Sequence, residues 1–134
     1  MVFGLFKKGG GGEQVAQYAD VFVVSLQKSA YYADARDDLI KTVAKAIEDS
    51  PTGNVVIEMS QVKQFTSGPL GALVVSARKA DEKGGRLVLA AAVSGFVGKV
   101  LSTATETNAS PSYKDVRAAL SALSTEAASA FDKA

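Results

Sequence analysis

Between Val21 and Leu101, short uninterrupted apolar runs take turns with stretches whose apolar residues recur every three to four positions. That alternation constrains the fold more than any other feature of the chain. "VFVVSLQ", "NVVIEMSQV" and "RLVLAAAV" are the runs, rich in the β-branched residues that suit a pleated surface. Because neither face of these runs is polar, both faces must be covered, as in the inner strands of a parallel sheet. Between them, Leu39, Val43, Ala46 and Ile47 form one helical face, and Leu70, Leu73, Val74 and Ala77 form another. Asp34 is the expected cap of the first helix, and "SPTG" at 50–53 stops it. Gly84-Gly85 ends the second.

The same reading extends outward. "EQVAQ" and "VFVVSLQ", separated by Tyr18-Ala19-Asp20, predict a pair of strands ahead of the first helix. Ser94 is placed to cap a short helix carrying Val97, Val100, Leu101 and Ala104, and "TNASPSY" leaves room for a brief edge strand. A last helix is expected from about Lys114, with Val116, Ala119, Leu120, Leu123, Ala127, Ala130 and Phe131 on one side. The predicted fold class is α/β, with a central mixed β-sheet of four or five strands flanked by about four helices. Right-handed crossovers place the loops that follow the inner strands along one rim, and the turn "QFTSGPLG" at 64–71 lies on it.

Composition narrows the chemistry. The chain of 134 residues is sized for a single domain. It has no cysteine, hence no disulfide framework and no thiolate chemistry, and no histidine, the commonest general base and metal ligand. No nucleophile–base set is legible, so no enzyme, cofactor or metal is expected. Asp34, Asp37 and Asp38 suit the first turn of a helix, where negative charge is stabilised, better than a metal site. A net charge of +1 gives no nucleic-acid footprint. No apolar run approaches the roughly 20 residues of a membrane span, and no secretory signal is visible, so a cytoplasmic location is expected.

The chain divides into residues 1–12, "MVFGLFKKGGGG", and a globular part over residues 13–134. Four glycines make the first a flexible leader. Its Val2, Phe3, Leu5, Phe6, Lys7 and Lys8 resemble the short apolar-basic leaders of bactofilins, bacterial filament proteins. That resemblance implies weak membrane contact at the inner face, which a homo-oligomer would reinforce by avidity.

Residues 54–101, "NVVIEMSQVKQFTSGPLGALVVSARKADEKGGRLVLAAAVSGFVGKVL", resemble the core of a STAS domain, the fold of bacterial anti-sigma factor antagonists. The family pattern is an apolar strand ending in Asp-Leu-Ser, a spacer, and Asp-Ser-Ser/Thr-Gly-Leu-Gly. An amphipathic helix, a Gly-Gly turn, a strand and a Ser-capped helix follow. A gap-free match sets Glu58-Met59-Ser60 on the strand end, and Thr66, Ser67, Gly68, Pro69, Leu70 and Gly71 on the hexapeptide. The likeness extends over about residues 20–123.

The resemblance implies a non-enzymatic regulator that switches protein partners, a kinase-like anti-sigma factor or another regulatory protein. It makes Ser67 the phosphoacceptor. Reading Pro69 as an insertion moves that role to Thr66. The implied partner surface is Thr66, Ser67, Gly68, Pro69 and Leu70, with Tyr31 and Tyr32 as aromatic contacts. Three hexapeptide positions depart from the pattern: Thr66 replaces an aspartate, Gly68 a hydroxyl residue and Pro69 a glycine. "QKSAYYA" at 27–33 stands where the family carries Gly-Glu-Leu-Asp, so acid is missing there too. Capping alone would also select Ser, Gly and Pro at a helix start, and one of the two tyrosines could simply cover the end of the sheet. Two other roles fit the same fold: a scaffold module that is never phosphorylated and is held at the membrane by residues 1–8, or the STAS subunit of a lipid-transport complex.

Overall fold

A computed structural model describes residues 7–8, 13–104 and 111–134. The expected hairpin comprises β2 (Gln14–Tyr18) and β3 (Val21–Ser25), antiparallel, with Tyr18 opposite Val21. Only Ala19 and Asp20 lie between them, and Ala19 takes a φ of 53°, the left-handed conformation that a two-residue hairpin turn demands. Three further strands continue the sheet in parallel: β5 (Val55–Glu58), β7 (Leu87–Ala90) and β8 (Ser112–Tyr113). On the other side of β2 lies β1 (Lys7–Lys8), antiparallel, with Lys7 opposite Val15 and Lys8 opposite Gln14. The sheet is therefore mixed, in the order β1-β2-β3-β5-β7-β8.

β1 adds a strand to the expected count. It also seats two residues of the leader, Lys7 and Lys8, on the sheet edge. The rest of the leader, Val2, Phe3, Leu5 and Phe6 included, lies outside the described residues.

Two cores explain why the strands read as continuous apolar runs. Phe22, Val24, Val55, Ile57, Leu87 and Leu89 point to one face. There they meet α1 (Arg36–Asp49), α2 (Ser67–Lys83) and α3 (Gly95–Ala104) through Leu39, Val43, Leu73, Ala77, Val97 and Leu101. Val21, Val23, Val56, Val88 and Ala90 point to the other face, against α4 (Val116–Leu123) and α5 (Thr125–Lys133). The strand period of two is present but hidden, because both faces are buried.

Two expectations about helices are corrected. Asp34 does not cap α1; it sits in a 3₁₀ turn, Ala33–Ala35, and Ala35 is the N-cap, without a side-chain bond. The last helix starts at Val116 after an Asp115 cap and breaks at Ser124, so five α-helices are present among the described residues. The break has a visible cause. Ser124 is extended, its hydroxyl donates to the Asp20 carboxylate at 2.8 Å and accepts the Ala127 amide at 3.2 Å. That cap starts α5 afresh and turns Ala127, Ala130 and Phe131 onto β2, where Phe131 meets Tyr18 edge-on at 5.2 Å.

At the end of the sheet opposite the carboxyl ends of the parallel strands, the turns are bound tightly. Gly53 and Gly84 take φ of 80° and 92°, and a Cβ on Gly85 would lie 2.3 Å from the Gly53 carbonyl carbon. Lys83 Nζ donates to the carbonyls of Ile47, Glu48 and Ser50 at 2.6–2.9 Å, closing the C-terminus of α1.

Candidate functional site

The carboxyl ends of β3 and β5 run into loops that are themselves paired. β4 (Ala30–Tyr31) and β6 (Gln64–Phe65) form a two-stranded parallel sheet, with Tyr31 opposite Phe65. The Ser29 carbonyl accepts the Lys63 amide at 2.7 Å and the Gln64 amide at 3.0 Å. This small sheet delivers the chain to the mouth of α2.

Thr66, not Ser67, is the N-cap of α2. Its φ of −84° and ψ of 177° are extended, and its carbonyl accepts the Leu70 amide at 3.1 Å. Its hydroxyl makes no capping bond; it turns back and donates to the Tyr31 carbonyl at 3.2 Å, beside the Thr66 amide at 3.0 Å. Ser67 is the first helical residue and is exposed, and no hydrogen bond engages its hydroxyl among the described residues. Pro69 falls two residues later, still in the turn where an N–H has no intrahelical acceptor, and is buried. At Gly68 a Cβ would stand 3.0 Å from the Ala33 Cα, so the helix mouth rests on the 3₁₀ turn and a side chain there would make that backbone give by a few tenths of an ångström. That contact accounts for glycine where the STAS pattern has a hydroxyl.

The tyrosine pair separates. Tyr31 is 1% exposed, so it is not a surface contact for a partner. Its ring packs on Phe65 at 5.8 Å, and its hydroxyl donates to Glu13 Oε2 at 3.1 Å. Burial, with the neighbouring Glu13 carboxylate adding to it, pushes the phenol up to about 12, although an amide N–H from Lys28 works the other way. Tyr32, one residue on, is 50% exposed and donates to the Gln64 side-chain oxygen.

On the other flank of the α2 mouth lies an open groove of about 340 Å³. Phe65 and Leu70 form one side, Val93, Phe96 and Val97 the other, and Lys63, Ser67 and Ser94 supply its polar edge. Phe96 is 65% exposed. Tyr32 and Phe96, the two strongly exposed large apolar residues among those described, therefore flank the same helix start. Sequence reasoning missed Lys63, Val93 and Phe96. For Phe96 a signal existed: it sits beside, not on, the stripe of Val97, Val100 and Leu101, so a large apolar side chain was left without a place in the core.

Asp37 and Asp38 occupy the first turn of α1, as expected. Among the described residues no cluster of three or more acids is placed to hold a metal ion, and no helix is long and apolar enough to cross a membrane.

No family model matches the chain, and no curated protein matches it. Among solved structures, one similar to it is that of the murine Solute Carrier 26 family member A9 (Slc26a9) anion transporter in the inward-facing state. The TM-score is 0.62 over 90% of this chain at 15% identity. This chain spans 22% of the length of that transporter. At such identity the likeness is one of fold. The fold is thus α/β and STAS-like: among the described residues, a mixed sheet with three helices on one face and two on the other, and a helix mouth opening at the rim.

Proposed function

We propose that this protein is a STAS-like regulatory module that binds another protein through the rim around Thr66 to Leu70, and that phosphate placed on Ser67 releases the partner. The observation that carries this reading is Ser67 itself: an exposed hydroxyl at N1 of a 17-residue helix, set between two exposed aromatic residues. A phosphate there would bring about −1.5 to −2 charges and three strong acceptors. The free amides at the helix start and the positive end of its dipole would favour those charges by about 0.3–1 kcal/mol. Lys63, which lines the same groove as Ser67, is a cation within the site. Phosphorylation would therefore cost the fold little, while placing charge into an interface built on Phe96, Leu70 and Tyr32. Thr66 is the weaker acceptor, because its hydroxyl already donates to the Tyr31 carbonyl.

The test is phosphotransfer. Incubation with ATP and each kinase encoded beside the gene is expected to add one phosphate, which fragment mass spectrometry assigns to Ser67. Ser67→Ala should abolish it while leaving stability within about 0.5 kcal/mol, since the hydroxyl holds nothing in place. Label on another residue, or none with any of these kinases, would reject the phosphorylation step.

A further inference from the structure

Glu13 is the one acid whose side chain is buried among the described residues, at 1% exposure, and nothing in the proposed partner switch uses it. Burying a carboxylate is costly unless hydroxyls or amides replace the water it loses. Here Tyr31 Oη donates to one carboxylate oxygen at 3.1 Å and Thr42 Oγ1 to the other at 3.4 Å. The two ends of this arrangement lead to different places. On one side Glu13 directly precedes β2, whose first residue, Gln14, pairs with Lys8 of β1. On the other, the carbonyl of the same Tyr31 accepts both the amide and the hydroxyl of Thr66, the N-cap of α2.

A continuous set of bonds thus runs from the edge strand, through a buried acid and a buried phenol, to the residue before Ser67. We propose that the Glu13–Tyr31 pair is a link by which the seating of β1 on the sheet edge sets the presentation of the α2 mouth. Glu13 and Tyr31 are positioning residues. With Tyr31 held at its hydroxyl, its carbonyl is fixed and Thr66 stays extended, which leaves Ser67 outermost. Released from Glu13, Tyr31 keeps its pairing in β4, its ring packing on Phe65 and its contacts with Lys28. It loses the bond that anchors its hydroxyl, and the Thr66 cap loosens. The link does not depend on whether Ser67 accepts phosphate, because it concerns the geometry of the unmodified chain.

Amide hydrogen exchange on the full chain tests it. Tyr31→Phe keeps the ring and removes the bond to Glu13; Glu13→Gln keeps the shape and removes the charge; Lys7→Pro with Lys8→Pro removes the amides of β1. Each is expected to speed exchange of the Thr66 and Leu70 amides about tenfold, the scale of one lost hydrogen bond. The Ala119 and Ala128 amides, bonded on the opposite face of the sheet, should change less than about twofold. Unchanged Thr66 and Leu70 in a folded Tyr31→Phe or Glu13→Gln chain overturns the proposal. So does equal acceleration at Ala119 and Ala128, which would mean general loosening. A response to Tyr31→Phe and Glu13→Gln but not to the β1 prolines overturns the connection to the edge strand.

Discussion

Single residues decide how close the two ends of the sheet come to failure. Gly85→Ala would place a Cβ against backbone that cannot step aside, 2.3 Å from one Gly53 atom and 2.5 Å from another. Gly84→Ala meets nothing within 4 Å but forces a side chain into φ of 92°. Denaturant unfolding should show Gly85→Ala as the more damaging, costing at least about 1–3 kcal/mol as overpacking does, against about 1 kcal/mol for the backbone strain at 84. A second expectation concerns pH. The folded phenol of Tyr31 titrates at about 12, above the unfolded value near 10, so its stabilisation is whole below pH about 10 and is lost as the pH rises toward about 12. Burial raises Tyr18 as well and steepens the same fall. Unfolding midpoints measured from pH about 9 to about 12 should fall for the native chain and fall less for Tyr31→Phe. The sequence could not tell Tyr31 from Tyr32. Tyr31 ends β4 and Tyr32 follows it in extended chain, so the two point to opposite sides, and which one enters depends on where β4 meets β6 and on a carboxylate 18 positions upstream.

Elements were legible where local pattern and tertiary need agree. The inner strands, α1, α2 and their stops were read correctly because an apolar run buried on both faces has few alternatives. The pairing of β4 with β6 left no trace in the sequence: each has two residues of mixed polarity, and their pairing follows from where β3 and β5 end. The same holds for the break at Ser124. It lies between alanine- and leucine-rich stretches that favour helix, with only Ser124-Thr125 to interrupt them, and the bond that holds it open comes from Asp20, in a hairpin turn 104 positions away. Ser124→Ala should therefore remove both the cap of α5 and its tether, lowering stability by about 0.5–2 kcal/mol with a loss of helical circular dichroism. Arg117 remains as the other fastening between these helices, its guanidinium meeting both oxygens of Asp132 at 3.0 Å.

At the scale of the whole molecule, the apolar surface is distributed unevenly. Tyr32 and Phe96 both stand beside the α2 mouth, where the proposed partner would meet them. Replacing both, Tyr32→Ser with Phe96→Ser, is expected to move stability by no more than about 0.5 kcal/mol while weakening capture of the cognate protein. A melting temperature lowered by several degrees would instead make them structural. The STAS resemblance singled out the turn that stands at the mouth of α2. It did not anticipate the aromatic flanks or the groove, because these arise where loops following different strands meet.

The tie between Lys83 and three carbonyls, with Gly53 and Gly85 touching backbone to backbone, has a mechanical consequence. It rivets the ends of α1 and α2 together at this pole, so a load applied there is shared by both helices instead of parting them.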